Sequence, residues 1–259
     1  MPLLMNTDAN EAHKTLSAFQ FSGVEADKLG GSEYTLVQLM VDESSSVCSF
    51  QAELTESIKT VVDACQKSPR SENLLLRVAT FSSGYQKNNI NEIHGFCTLP
   101  SINKSDYDGK INPSGSTPLY DATLNAVESL QSYAANLNAQ DYFCNGIFFV
   151  ITDGEENSST IANGTQGLLK IKNAISKLKT SETLDSVKAI LIGVNDSDSQ
   201  IKTYLDNFKT EAGFDEYISV GDATAGKLAK LAQFVSRSIS STSQALGSGG
   251  PSKPVDFNL

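Results

Sequence analysis

At 259 residues, with 39% hydrophobic and 19% charged residues, the chain is long enough for one large α/β domain and apolar enough to fill its core. A formal net charge of -10 excludes a phosphate-tracking surface, because a nucleic-acid binder needs a basic field to displace counterions, and it disfavours docking to an anionic membrane. No run approaches the ~20 apolar residues of a membrane span and residues 1–5 are too short for a secretory signal, so a cytoplasmic chain is expected.

Residues 1–33 are polar and then glycine-punctuated, which predicts a loosely ordered lead-in with one short packed piece around 19–24. Residues 34–41 form an apolar, strand-like run that stops at Asp42-Glu43-Ser44-Ser45-Ser46. Helical spacing of Phe50, Leu54, Ile58, Val61, Val62 and Cys65 predicts an amphipathic helix over 49–66. Residues 74–81 read as a second strand and 93–99 as a third, antiparallel at a sheet edge. The polar stretch 100–116 is long for a mere connector. It leads into a helix over 119–137, with Thr117 as N-cap and Pro118 at the first helical position.

The most apolar run, 147–151, predicts a central strand covered on both faces, and it too ends in an acid, within Thr152-Asp153-Gly154-Glu155-Glu156-Asn157. Downstream, 168–178, 200–208 and 223–239 read as helices and 187–194 and 217–220 as strands. The β-α alternation makes a doubly wound, Rossmann-like, mostly parallel sheet with helices on both faces and one antiparallel edge strand. The domain is placed at 34–242, between the lead-in and a flexible Gly/Ser-rich tail at 243–259.

Cys48, Cys65, Cys97 and Cys144 are isolated from one another and expected as buried free thiols, which leaves zinc without a ligand set. Enzyme chemistry finds little to use. The two histidines, His13 and His94, lie outside the strand-end motifs, and G-x-S-x-G does not occur. Gly221 to Leu228 nearly spells a phosphate-binding loop but has Leu228 where a metal-binding hydroxyl belongs. A metal-dependent phosphohydrolase is the runner-up reading, weakened by the small number of candidate direct carboxylates.

Three segments carry the positive signal. Asp42-x-Ser44-x-Ser46 leaves the first strand, Thr117 sits in Gly115-Ser116-Thr117-Pro118-Leu119-Tyr120-Asp121-Ala122, and Asp153 follows the central strand. In a parallel sheet these strand ends share one edge, where such folds bind their ligands. In order and spacing the three resemble the metal-ion-dependent adhesion site (MIDAS) of von Willebrand factor type A (vWA) domains, with a lean towards intracellular and microbial members. The resemblance implies that Ser44, Ser46 and Thr117 ligate a divalent cation directly and that Asp42 and Asp153 act mostly through water. It implies Mg²⁺, or Mn²⁺ or Ca²⁺, and a non-enzymatic function in which a partner protein supplies an Asp or Glu carboxylate as the last ligand. It also implies that the C-terminal helix is linked to the threonine loop. Glu43, Asp121, Glu155 and Glu156 read as solvated acids around the rim.

Overall fold

The computed structural model describes residues 21–84 and 89–248. Six strands form one sheet in the order β3-β2-β1-β4-β5-β6: β1 Glu33–Asp42, β2 Leu74–Phe81, β3 Ile90–Thr98, β4 Phe143–Thr152, β5 Ser186–Gly193 and β6 Glu216–Ser219. All neighbours are parallel except β2 and β3, as the edge-strand reading predicts. The helices are α1 Gln51–Gln66, α2 Leu119–Asn138, α3 Gly164–Lys179, α4 Ser199–Ala212 and α5 Ala225–Ser248.

The central strands are buried on both sides, so their side chains divide by period two between two cores. Leu36, Met40, Phe148 and Val150 pack with α2, α3 and α4. Val37, Leu39, Val41, Ile147, Phe149 and Ile151 pack with α1 and α5. After β1 the chain turns to β2 on one side, and after β4 it turns to β5 on the other. The carboxyl ends of the adjacent strands β1 and β4 therefore form the switch point at which doubly wound folds open a crevice.

Part of the predicted lead-in is structural. Val24 N donates to Phe96 O (2.7 Å) and Phe96 N to Ser22 O (2.9 Å), so residues 22–24 cover the free edge of β3. The contact needs glycine at 95, because a Cβ there would lie 2.1 Å from Ser22 O. The Tyr133 and Tyr142 hydroxyls donate to Val24 O and Ala26 O, and Phe96 stacks on Tyr133. Deleting residues 1–29 is expected to lower stability by on the order of 3–5 kcal/mol through lost burial of Phe21 and Ala26 and of these bonds, measurable by urea denaturation. An unchanged midpoint would show the segment to be dispensable. Residues 1–20, including His13, lie outside the described residues.

At the other end the helix runs farther than its large apolar residues predict. Thr242 and Ser243 are buried, Asn145 Nδ2 donates to Thr242 O (3.0 Å), and Arg70 Nε donates to Ser243 Oγ (3.0 Å). Residues 243–248 of the predicted tail are thus helical, and 249–259 lie outside the described residues.

Candidate metal site

The site grows from the last residues of β1 and β4, held level because Val41 pairs with Ile151. At the end of β1, Asp42 Oδ1 accepts from Ser44 N (2.8 Å), which turns the chain so that the Ser44 and Ser46 hydroxyls lie 2.9 Å apart. Ser46 Oγ donates across to Asp153 Oδ1 (2.8 Å), and Thr152 Oγ1 donates to Asp42 Oδ2 (2.6 Å). Four of the five sequence-predicted residues are thereby joined in one hydrogen-bonded chain between the two strand ends. Thr117 stands beside that chain: it is buried, and a Cβ on Gly154 would lie 3.4 Å from its Oγ1.

Thr117 is placed by its backbone. Its N–H donates to Asn157 Oδ1 (2.8 Å), and its carbonyl accepts from Asn157 N (3.1 Å). It does not cap α2, contrary to the prediction. Pro118 flanks the helix, and the freed first-turn amides of Tyr120 and Asp121 donate to Glu156 Oε2 (2.7 Å) and Ser159 Oγ (3.0 Å) from the loop after β4. The helix start is therefore capped from outside its own segment, which sequence spacing does not reveal.

Asp42, Ser44, Thr117 and Asp153 are buried while Ser46 is exposed, so the cluster opens to solvent at one serine. Burial, and next the charge of Asp153, push Asp42 up to about 7, against the opposing bonds from Thr152 and Ser44. Burial raises Asp153 as well, against the Ser46 bond. Neither acid forms a salt bridge to a Lys, Arg or His among the described residues. Two buried carboxylates facing hydroxyls, with no basic partner, make an all-oxygen donor set that fits a hard divalent cation. Among the described residues no cluster of three or more His, Cys, Asp or Glu side chains could hold a metal, so any ion here leans on hydroxyls.

Of the rim acids, only Glu155 is exposed. Asp121 is fully buried: Oδ1 accepts from Ile161 N (3.0 Å) and Ala162 N (2.7 Å), and Oδ2 from Thr160 N (2.8 Å) and Asn89 Nδ2 (2.9 Å). Glu156 receives Ser158 N and Ser159 N besides Tyr120 N, and Glu43 is fully buried with a bond from Asn112 N. These acids hold loops in place, and the reading of them as solvated is corrected. Their one signal in the sequence is position, since each lies beside a strand end or helix start.

The remaining candidates do not converge on this place. His94 lies within β3, its Nε2 2.7 Å from Tyr107 Oη, and burial pulls its pKa down. In the Gly221 to Leu228 segment Gly221 N donates to Asp196 Oδ1 (2.6 Å) and Lys227 Nζ lies 3.9 Å from Asp222 Oδ2, so two groups a phosphate would need already face acids. All four cysteines are free thiols, but Cys48 is exposed on the turn after Ser46, against the expectation of burial. Among the described residues no helix is long and apolar enough to cross a membrane.

No protein-family model and no curated protein matches the chain. Solved structures do. A mutant of the PilB minor pilin of Streptococcus sanguinis aligns with a TM-score of 0.60 at 13% identity, over 88% of this chain and 66% of that one. A von Willebrand factor type A protein from Catenulispora acidiphila aligns at 0.54 and 11% identity, over 81% and 43%. Proximal thread matrix protein 1 of the mussel byssus, with a zinc-occupied MIDAS motif, aligns at 0.51 and 19% identity, over 80% and 46%. The chain thus spans just under two thirds of the pilin and less than half of the other two. At these identities the likeness is one of architecture: the chain has the doubly wound vWA fold.

Proposed function

We propose that this chain is a non-enzymatic protein-binding module that holds a divalent cation between the β1 and β4 turns and uses it to take an Asp or Glu side chain of a partner. The observation that carries this reading is the run of oxygens from Ser44 through Ser46 to Asp153, set around two buried acids that form no salt bridge to a basic side chain among the described residues. Ser44, Ser46 and Thr117 would hold the ion, with Asp42 and Asp153 balancing its charge; Mg²⁺ suits the set best, with Mn²⁺ or Ca²⁺ as substitutes. When bound, the ion supplies an electrophilic position that accepts a carboxylate.

The chain's own residues do the rest. Asp42 fixes the serine turn through Ser44 N, and Thr152 locks the other carboxylate oxygen, so the two strand ends stay in register without the ion. Exposed Ser46 leaves the approach open, while buried Thr117 closes the inner side. A neighbour with zinc in its MIDAS motif supports a cation at this position, and a pilin and a byssal matrix protein among the neighbours support binding rather than catalysis.

Affinity capture from a cell extract tests the reading. Wild type is expected to retain a protein in Mg²⁺ and to release it in chelator, and Asp42→Ala is expected to retain none. Equal capture in all three conditions would contradict it.

A further inference from the structure

The loop that carries Thr117 is stitched to the β1 turn, and the stitching centres on Glu43. This residue lies between Asp42 and Ser44 and is fully buried. Its carboxylate Oε1 accepts from Asn112 N, and its backbone carbonyl accepts from Ser114 N (2.9 Å). Its own N–H donates to Phe81 O (3.0 Å), which anchors it to β2. One residue further, Ser45 N and Oγ both donate to Gly115 O, at 3.1 and 3.0 Å. Gly115 has φ +67°, and a Cβ there would lie 2.5 Å from Gly84 N, so the loop turns tightly at this point and has no room to slide.

On its far side the same loop meets the β2–β3 turn. Ser82 Oγ donates to Ser114 O, Ser83 N donates to Ser116 O (3.0 Å), and Ser116 N donates to Ser83 Oγ (2.8 Å). Most of these bonds run between backbone groups or come from exposed hydroxyls that water can replace. Two are made by fully buried side chains, the Ser82 hydroxyl and the Glu43 carboxylate. Of the two, only the Glu43 bond ties the threonine loop to the turn that carries Ser44 and Ser46, and its acceptor is a carboxylate.

We propose that Glu43 is a positioning residue for Thr117: its buried carboxylate, acting through Asn112 N, holds the threonine loop at the distance from Ser44 and Ser46 that cation binding requires. The inference rests on the cation site proposed above and assigns the part of its geometry that the ligand residues do not supply. Outer residues that orient a metal's ligands are worth about 10- to 100-fold in affinity. The residue that spaces the two serines from Asp42 is then also the residue that spaces them from Thr117. Both halves of the site are mounted on a single turn.

Mn²⁺ binding to the full chain, measured by isothermal titration calorimetry at neutral pH, separates this role from a merely structural one. Glu43→Ala is expected to weaken Mn²⁺ binding about tenfold or more, and Glu43→Gln, whose amide oxygen can still accept from Asn112 N, to stay within about threefold of wild type. In a Thr117→Ala background the Glu43→Ala change is expected to have less than about a twofold further effect, because the two residues act as one unit. Additive losses in the double variant would overturn the proposal, as would wild-type affinity in Glu43→Ala. If Glu43→Ala fails to fold, Asn112→Pro, which removes the N–H donor, replaces it, with Asn112→Ala as the control for loss of the Nδ2 bond to Gly109 O; wild-type affinity in the proline variant would overturn the proposal. A wild-type chain that ignores Mn²⁺ would overturn the cation site itself, and this inference with it.

Discussion

Asp42→Asn is expected to melt at a higher temperature than wild type in metal-free buffer at pH 8, and to gain nothing from added Mg²⁺. Asp42 is fully buried with its pKa pushed up to about 7 against an ordinary value of 3.8, so the folded metal-free chain holds the proton more tightly than the unfolded chain. The sign follows: for this group, metal-free stability is greatest below about pH 4 and declines as pH rises through about 7. An asparagine carries no charge to bury, can still accept from Ser44 N through Oδ1, and can donate through Nδ2 to the Thr152 hydroxyl. The gain is expected to be on the order of 1–3 kcal/mol at pH 8 and to vanish near pH 4. Wild type in Mg²⁺ at 100 times its Kd should gain about 2.7 kcal/mol by mass action, and the variant should not. Thermal melts at pH 4 and pH 8, with and without Mg²⁺, check both statements. A wild-type melting point indifferent to Mg²⁺, or an Asp42→Asn variant less stable than wild type at pH 8, would contradict the electrostatic reading of the site.

Asp121→Ala is expected to cost about 3–5 kcal/mol, because several N–H groups lose one shared acceptor and each donor left unpaired costs about 1–3 kcal/mol. Its carboxylate satisfies four N–H donors from two places: the loop after β4 at Thr160, Ile161 and Ala162, and Asn89 before β3. Alanine would leave those donors without it, two of them, Asn89 and Ala162, on buried residues. Asp121→Asn should fall between wild type and alanine, since one amide oxygen can serve some of the donors while its NH₂ faces the others. At the size of this chain the alanine loss corresponds to a melting-point drop of roughly 10 °C. A drop of under 2 °C would show that the network rearranges or that water replaces it.

Much of the fold was readable because its strands are buried on two sides. A segment such as Ile147 to Ile151 has no polar position to spare, and its abrupt end at Thr152-Asp153 marks the sheet edge as plainly as its start marks the core. The same holds for β1, whose last buried residue is Asp42 itself. The candidate site was readable for a related reason: acids and hydroxyls at the ends of apolar runs have one physical place to go in a parallel sheet.

What stayed hidden depends on contacts between distant segments. Glu43 and Glu156 look in sequence like acids on solvent-facing loops and Asp121 like an acid on an open first helical turn, and only the packing of distant segments on them takes them out of solvent. The capping of α2 was misassigned to Thr117 because the true acceptors lie about forty residues away, beyond β4. Arg77, fully buried in a β2 whose remaining polar residue is Thr80, bonds Glu92 and Asn125, and no local pattern announces it. Serines and threonines at the end of α5 read as tail because they lack bulk, yet Thr242 and Ser243 are buried and bonded to Asn145 and Arg70.

The proposed divalent cation sits where the β1 turn, the threonine loop and the β4 turn meet. Anomalous diffraction from crystals of the full chain grown in Mn²⁺ locates the ion directly. A peak is expected about 2.1 Å from both Ser44 Oγ and Ser46 Oγ, within reach of Thr117 and absent in Asp42→Ala. A structure in millimolar Mn²⁺ with the three segments arranged as described and no peak between them would contradict it.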